Sequence, residues 1–458
     1  MEQTKENKMG TMPVNKLLVT MSLPMVISMI VQALYNIVDS IFVSRLSEDA
    51  LTAVSMAFPM QNLMISVAVG TGVGINAMLS RALGEKKFEA ANKTAENGIF
   101  IEVLGYVLFL LIGIFVTKPF FLAQAGAGDI ANMGIEYTRI CLLMSFGIFM
   151  QIGFERILQS TGRTIFTMIT QSTGAIINII LDPILIFGLF GMPKMGVAGA
   201  GWATVIAQFI SGILCFVYSL KKFPILRLTK HDWKFSWKFA WQHLEVGLPM
   251  AFQFSITAIG TMVIQSALNS LGSTAVAAFT AGSKIDQFAT QPLASLGVAV
   301  ATYTAQNYGA RALERIKKGV TGAAIIATVC GIVGGFVVIT FAKPLVALFV
   351  GSGQNEVMSL SKEYLVLNGV FYVILGLLFV YRNALQGIGS SMIAFFGGVW
   401  ELVMRSLVAF VLVSYLKFAA VCIASPVAWF GATIWLMIAY FVIINRIIKK
   451  ANFAKINY

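Results

Sequence analysis

Twelve long apolar runs follow one another along this chain, and they restrict its fold more than any other feature. The 458-residue sequence is 58% hydrophobic and only 12% charged, about half the share of roughly 25% in soluble domains. So few charges cannot cover the surface of a water-soluble protein of this size. The runs are continuous rather than alternating, which argues against an outer-membrane β-barrel. The sequence therefore predicts an all-α polytopic membrane protein.

The predicted spans are long enough for transmembrane helices, which need about 20 residues each. They lie near 14–43, 52–80, 94–116, 132–160, 164–190, 197–219, 242–270, 275–305, 319–341, 359–387, 391–415 and 420–446. The first run is too long for a signal-peptide core, so we expect it to be retained. An even number of spans places both termini on one side. The segments on that side hold 22 of the 33 Lys and Arg residues, and those opposite hold 6, which predicts cytoplasmic termini.

Several classes of function are disfavoured by what the chain contains. The net charge of +13 can indicate nucleic-acid binding, but the basic residues lie in short loops between apolar runs, as in membrane proteins generally. Four cysteines without CxxC spacing and two histidines do not suggest a structural metal site. The glycines at 70–74 lie inside a span and lack the lysine of a phosphate-binding loop. We therefore expect that the protein binds no nucleic acid and that it is not an enzyme.

An internal repeat relates the two halves of the chain. The offset is 225 residues for three short matches: Ser22-Leu23-Pro24-Met25 with Gly247-Leu248-Pro249-Met250, Arg81-Ala82-Leu83-Gly84 with Gln306-Asn307-Tyr308-Gly309, and Lys118-Pro119 with Lys343-Pro344. It is 227 for two more: Glu136-Tyr137 with Glu363-Tyr364, and Leu158-Gln159-Ser160-Thr161-Gly162 with Leu385-Gln386-Gly387-Ile388-Gly389. Each half has six spans, so the repeat predicts two six-helix lobes related by a parallel pseudo-two-fold axis along the membrane normal. We place the lobes at 1–220 and 242–458, with a cytoplasmic linker at 221–241.

The linker carries Trp233, Trp237 and Trp241 at four-residue spacing, with Lys234 and Lys238 among them. This spacing puts indoles on one helical face and lysines on another, which suits a helix lying in the membrane interface. A plain linker with interfacial tryptophans is an equally good interpretation at this point.

Two acids within predicted spans of the first half are candidates for function, because charges are costly to bury in a membrane. Asp39 and Asp182 fall at similar depth, in the outer halves of spans 1 and 5. Asn178 lies one turn from Asp182, and Tyr35 and Gln32 share the side of Asp39. Two buried carboxylates repel each other, so such a pocket suits a proton or a monovalent cation. The alternative is structural: Asp182 caps a helix kink, and Asp39 marks the outer interface.

Pro24 lies within span 1, where a proline removes a backbone hydrogen bond and bends the helix. A static kink is the commoner role of such a residue. A hinge is the other interpretation, since Asp39 is on the same helix.

The second half has its own charged residues within spans. Glu401 and Arg405, spaced i and i+4, predict a structural ion pair. Lys284, Asp286 and Arg382 line a polar cavity of the C-lobe or pair with one another, and the sequence leaves both possibilities open.

These residues resemble the multidrug and toxic compound extrusion (MATE) family over nearly the whole chain. The resemblance rests on Leu23-Pro24, Leu34-Tyr35-Asn36-Ile37-Val38-Asp39, Ala82-Leu83-Gly84, Leu158-Gln159 with Gly162, Asn178 with Leu181-Asp182-Pro183, Gly199-Ala200-Gly201-Trp202-Ala203-Thr204, and Thr304-Ala305-Gln306-Asn307-Tyr308-Gly309-Ala310. It implies twelve helices in two lobes.

The resemblance also implies roles for individual residues, as in the DinF-like prokaryotic branch of the family. Positions matching the N-lobe cation site are Asp39, Asn178, Asp182 and Thr204. Positions matching the substrate cavity are Gln32 and Tyr35, and the helix-1 hinge proline is Pro24. Some branches carry a glutamate in span 7, where this chain has Thr257. A C-lobe cation site of that type is therefore not expected.

The function implied by the resemblance is secondary active export by alternating access. H⁺ or Na⁺ enters in exchange for small organic cations or drugs, with no cofactor beyond the coupling ion. The location implied is the bacterial cytoplasmic membrane, and we expect a monomer. The alternative is a flippase or exporter for a lipid-linked or amphiphilic metabolite. Twelve spans and the acidic pair favour the drug exporter over this alternative.

Overall fold

The computed structural model of the protein describes residues 8–222, 234–350 and 354–456, and its regular elements there are all helices. The first half contains α1 (Lys8–Thr11), α2 (Val14–Ser44), α3 (Glu48–Gly84), α4 (Phe88–Phe115), α5 (Thr117–Ala125), α6 (Asp129–Leu143), α7 (Phe146–Ser160), α8 (Thr164–Phe187) and α9 (Val197–Lys222). The second half contains α10 (Trp237–Asn269), α11 (Ser273–Gly309), α12 (Leu313–Thr340), α13 (Ala342–Val350), α14 (Asn355–Gly369), α15 (Tyr372–Gly387), α16 (Ser391–Leu407), α17 (Val413–Leu416) and α18 (Phe418–Ile456). A 3₁₀ turn occupies Leu189–Gly191, and a π-helical turn occupies Val408–Leu412.

The number of helices that can cross a membrane agrees with the sequence. Within the described residues, nine helices are long and apolar enough, and the number is eleven if each of two bent pairs is one span. The pairs are α6 with α7, bent by 43°, and α14 with α15, bent by 48°. Helix α11 is more polar but has 37 residues, well above the length of about 20 that a span needs. The protein is a multi-pass membrane protein with about twelve spans.

Apolar side chains on the outer faces of the helices fit this assignment. Leu104 is 59% exposed and Phe336 is 68% exposed, and many other large apolar residues are exposed too. Soluble monomers rarely present continuous apolar surfaces of this extent. In a bilayer these side chains contact lipid, and the helices satisfy their own backbone hydrogen bonds.

The internal repeat is also a repeat of structure. Paired helices have matching lengths: α3 and α11 with 37 residues, α4 and α12 with 28, α5 and α13 with 9, α6 and α14 with 15, and α7 and α15 with 15 and 16. Equivalent turns match as well. Lys86 and Arg311 both have φ of 56°, and Gly162 and Gly389 have φ of 74° and 85°. The two halves therefore share the same order of helices and the same turn conformations at equivalent positions.

The helices pack into two compact units, which divide the chain inside two helices. One unit, here the N-unit, is Ile27–Ala251, and the other, the C-unit, combines Met1–Val26 with Phe252–Tyr458. Thus α2 begins in the C-unit and continues in the N-unit, whereas α10 does the reverse. Both divisions fall two residues after a proline, Pro24 in α2 and Pro249 in α10. The segment before Pro24 thus belongs to the C-unit, and the segment before Pro249 belongs to the N-unit. The repeat predicts the opposite assignment for both segments.

Within the N-unit, α3 approaches α10 closely at a glycine. A Cβ on Gly70 would lie 2.4 Å from the backbone of Ala251, too near for any side chain. Small residues at such crossings let helix backbones approach each other, which is the usual basis of packing in membranes. This contact explains why the first part of α10 belongs to the N-unit.

The predicted linker differs from what the structure contains. Helix α10 begins at Trp237, so Trp237 and Trp241 lie on the first turns of a membrane-crossing helix and not on a separate interfacial helix. Their rings are 6.5 Å apart and exposed. The backbone N–H of Ser236, just before the helix, donates to Asn97 Oδ1 at 2.8 Å. Trp233 lies outside the described residues.

Candidate functional site

Four polar side chains from three helices meet inside the N-unit. Asp39 comes from α2, Asn178 and Asp182 come from α8, and Thr204 comes from α9. The carboxyl groups of Asp39 and Asp182 are close enough to interact electrostatically. The amide Nδ2 of Asn178 lies 3.4 Å from Asp182 Oδ1 and 3.4 Å from Thr204 Oγ1. The four residues of the predicted cation site are thus in one place, although 165 residues separate the first from the last along the chain.

Oxygen atoms without donors distinguish this cluster from an ordinary polar contact. Asp39 Oδ1, Asn178 Oδ1 and Asp182 Oδ2 are buried and accept no hydrogen bond from the described residues. Asn178 and Asp182 are 1% and 0% exposed. Buried acceptors normally have partners, and two carboxylates in contact repel unless a proton or cation lies between them. The cluster therefore suits a proton or a small cation bound by oxygen.

The two predicted cavity residues lie beside this cluster. Tyr35, one turn before Asp39, is half-buried and within hydrogen-bonding distance of Gln32, which is exposed. The hydroxyl group of Tyr35 is also within electrostatic range of Asp39 and Asp182. An aromatic ring and an amide next to paired acids can contact an amphipathic cation.

Pro24 lies apart from the cluster, buried within α2 in the C-unit. Because proline has no N–H, it cannot donate to the carbonyl of Thr20 as a helical residue would. The chain passes into the N-unit two residues later. Pro24 is thus placed where α2 changes unit, on the same helix as Asp39.

A second set of buried acids in the N-unit was not assigned from the sequence. Glu102 on α4 accepts a hydrogen bond from Thr71, and Glu155 on α7 accepts one from Gln171 at 2.7 Å. Arg156 lies within electrostatic range of both acids. Their position inside apolar spans was the available signal, but it did not show which helices they face.

In the C-unit, Arg382 on α15 joins the predicted pair of Glu401 and Arg405 on α16. Arg382 Nη2 donates to Glu401 Oε1, whereas Arg405 Nη2 lies 4.0 Å from Glu401 Oε2. The interaction across helices is therefore closer than the one along α16 that the i, i+4 spacing predicted.

The other two predicted C-unit residues do not pair with each other. Asp286 on α11 accepts a 2.7 Å hydrogen bond from the hydroxyl of Tyr372. Lys284 makes no ion pair with any residue that the structure describes. The predicted polar groups of the C-unit thus form two contacts rather than one network of ion pairs.

Comparison with known families decides what kind of protein carries these sites. The sequence model of the MatE family matches residues 24–184 and 249–411, one stretch in each half of the repeat. The chain belongs to the MatE family. The gap between the two matched stretches includes the whole of α9 and the start of α10.

Relatives of this MatE protein match over nearly their whole lengths. The probable multidrug resistance protein YoeA of Bacillus subtilis (strain 168) is 26% identical over 428 residues, 91% of each chain. The FAD transporter of Shewanella oneidensis is 25% identical over 413 residues, 88% of this chain and 89% of the relative. The crystal structure of MATE in complex with MaL6 superposes with a TM-score of 0.92 at 26% identity, covering 97% of this chain and 100% of that one. The fold is that of a MATE transporter.

Proposed function

We propose that this protein is a secondary active multidrug exporter that exchanges H⁺ or Na⁺ for amphipathic, often cationic organic compounds. Membership of the MatE family and the multidrug resistance relative support export. The contact between Asp39 and Asp182, with buried oxygens that lack donors, supports coupling to a cation. The sequence has no phosphate-binding loop, so the proposal assigns the energy to an ion gradient rather than to ATP.

Coupling follows from the electrostatics of the acid pair. A bound cation relieves the repulsion between the carboxylates and is coordinated by the side-chain oxygens of Asn178 and Thr204. A ligand shifts a conformational equilibrium only through different affinities for the two states. The state that binds the cation better must therefore bind the substrate less well near Tyr35 and Gln32. Bending of α2 at Pro24 is the movement we assign to this exchange.

Efflux from proteoliposomes tests the proposal. Ethidium efflux is measured under an imposed ΔpH and, separately, under an imposed ΔpNa. We expect Asp39→Asn to lose driven efflux, because it removes one of the two carboxylates while keeping the size of the side chain. Asp129→Asn, a change at an exposed acid in the first turn of α6, is the matched control. Wild-type efflux rates in Asp39→Asn under both gradients would refute the cation site.

We also propose that the protein lies in the bacterial cytoplasmic membrane as a monomer with both termini inside. The exposed residues Lys318 and Lys194 fall on opposite predicted sides. A membrane-impermeant maleimide applied to intact cells should label Lys194→Cys and not Lys318→Cys. The reverse pattern would refute the orientation.

The alternative is export or flipping of an amphiphilic metabolite, which a separate observation favours. The C-unit buries two arginines, Arg382 and Arg405, and a relative of similar length is an FAD transporter. If the wild type transports an anionic amphiphile but shows no driven efflux of ethidium, this alternative is favoured.

A further inference from the structure

The charged cluster of the C-unit has no part in the proposed coupling reaction. Arg382, Glu401 and Arg405 are 7%, 6% and 5% exposed, and both arginines contact Glu401. One carboxylate balances only one guanidinium. The three side chains together therefore hold an excess positive charge in a membrane-embedded interior, where unbalanced charge is costly.

Some donors of the two arginines lack acceptors. The Nε atoms of Arg382 and Arg405 are both buried and have no hydrogen-bond partner among the described residues. Guanidinium groups carry five N–H donors in a fixed planar arrangement that fits carboxylate and phosphate oxygens. Donors left over after Glu401 has been bound point to an acceptor that the described residues do not supply.

Neighbouring charges do not remove this excess. Asp286 accepts a hydrogen bond from the hydroxyl of Tyr372 and not from either arginine of the cluster. Lys284 lies on the same helix as Asp286 and makes no ion pair with a described residue. The polar groups of the C-unit predicted from the sequence thus comprise three cations and two carboxylates.

The repeat relates one residue of this cluster, Arg405, to the acidic site in the other half. By the 225 offset Tyr35 corresponds to Gly260, and by the 227 offset Asn178 corresponds to Arg405. A Cβ on Gly260 would lie 2.7 Å from Nη1 of Arg405, so the glycine makes room for the guanidinium. Arg405 therefore takes the place of Asn178, an amide that contacts the acid pair of the N-unit, and the C-unit has no acid at the positions of Asp39 and Asp182.

The backbone after Arg405 is also unusual. A π-helical turn covers Val408–Leu412, and it includes Ala409, the counterpart of Asp182. Short π-helical turns inside α-helices occur frequently at functional sites. This second observation is independent of the charges.

We propose that Arg382 and Arg405 bind an oxyanion, namely a carboxylate or phosphate group carried by an amphipathic molecule, in exchange for part of their contact with Glu401. The proposal deepens the export function by naming the part of a substrate that the C-unit recognises. It rests on that function only for the claim that the bound molecule is exported.

Binding of matched pyrene probes tests the site without any gradient. The full chain is reconstituted in phosphatidylcholine nanodiscs, and energy transfer from tryptophan to 1-pyrenebutyrate, 1-pyrenebutyl phosphate or 1-pyrenebutanol gives each Kd. We expect at least one anionic probe to bind on the order of tenfold more tightly than the alcohol. The two anionic probes distinguish carboxylate from phosphate as the preferred group. Equal Kd values for all three probes would overturn the proposal.

Variants separate binding from structural support. Arg405→Gln and Arg382→Gln should remove the preference for anions and leave the Kd of 1-pyrenebutanol unchanged. Glu401→Gln should bind the anionic probes more tightly, because the competing carboxylate is gone. A purely structural cluster predicts equal changes for charged and neutral probes in all three variants, which would overturn the proposal. Arg405→Lys, which keeps the charge, covers the case in which Arg405→Gln does not fold.

Controls distinguish this proposal from the export function. Arg156→Gln alters an arginine of the N-unit and should keep the preference for anions. Asp39→Asn should lose driven efflux but keep anion binding. Anion binding in a protein without driven efflux would refute export alone. Driven efflux without any preference for anions would refute the oxyanion site alone.

Discussion

Thr71 donates a 2.9 Å hydrogen bond to Oε1 of Glu102, and both side chains are buried inside the N-unit. The second carboxyl oxygen of Glu102 has no hydrogen-bond partner among the described residues. Thr71 is thus the residue that supplies a hydrogen bond to an otherwise poorly satisfied acid on α4.

Replacing this donor should destabilise the protein. We expect Thr71→Val to lower the free energy of unfolding by about 1–3 kcal/mol, because a buried polar group loses its partner. Thr71→Ser keeps the hydroxyl and should change stability less. Thermal unfolding in detergent measures both, with Thr52→Val, at an exposed threonine, as the control. Equal unfolding temperatures for Thr71→Val and Thr52→Val would contradict the importance of this bond.

Ligand-dependent stability identifies the coupling ion. A ligand that binds only the folded state stabilises it by about 2.7 kcal/mol at a concentration of 100 Kd. If Na⁺ binds at Asp39 and Asp182, replacing choline with Na⁺ should raise the unfolding temperature of the wild type and not of Asp182→Asn. For a proton, the same contrast should be seen when the pH is lowered in choline. Identical responses of the two proteins to both ligands would contradict the site.

Pro24→Ala tests the hinge in α2. The alanine regains a backbone N–H that can donate to the carbonyl of Thr20, which makes bending of the helix less favourable. We expect driven efflux to fall several-fold, with the protein still inserted and at least as stable. Pro249→Ala is the matched change in α10, where Ile264 replaces the acid that Asp39 provides, and it should reduce efflux less. Equal losses in the two variants would argue against a specific role of Pro24.

Arg315 should hold the short helix α1 in place. Its Nε donates to the carbonyl of Met9 at 3.2 Å, and its Nη2 donates to that of Met12 at 2.5 Å. Arg315→Ala removes both charge-assisted bonds. We expect faster hydrogen exchange at residues 8–12, measured by mass spectrometry, with Lys318→Ala as the control. Unchanged exchange in Arg315→Ala would show that other contacts hold α1.

Local patterns in the chain predicted most of the fold. The length of the apolar runs predicted the membrane spans. The distribution of lysines and arginines predicted an orientation, which stays a prediction. The repeat offset of 225 to 227 residues anticipated matching helix lengths and the equivalent turns at Lys86 and Arg311. These features depend on neighbouring residues, so a linear sequence contains them.

Contacts between distant residues required the tertiary structure. Helical spacing placed Asn178 beside Asp182, but only the tertiary structure brought Asp39 of α2 and Thr204 of α9 to them. The same spacing predicted a pair of Glu401 with Arg405, whereas the shorter contact is to Arg382 on another helix. The sequence by itself determined which helices form and which charges they carry, because both follow from local composition. Only the tertiary structure decided which charges meet and that α2 and α10 each divide between two units, because side-chain packing between helices has no local signal in the chain.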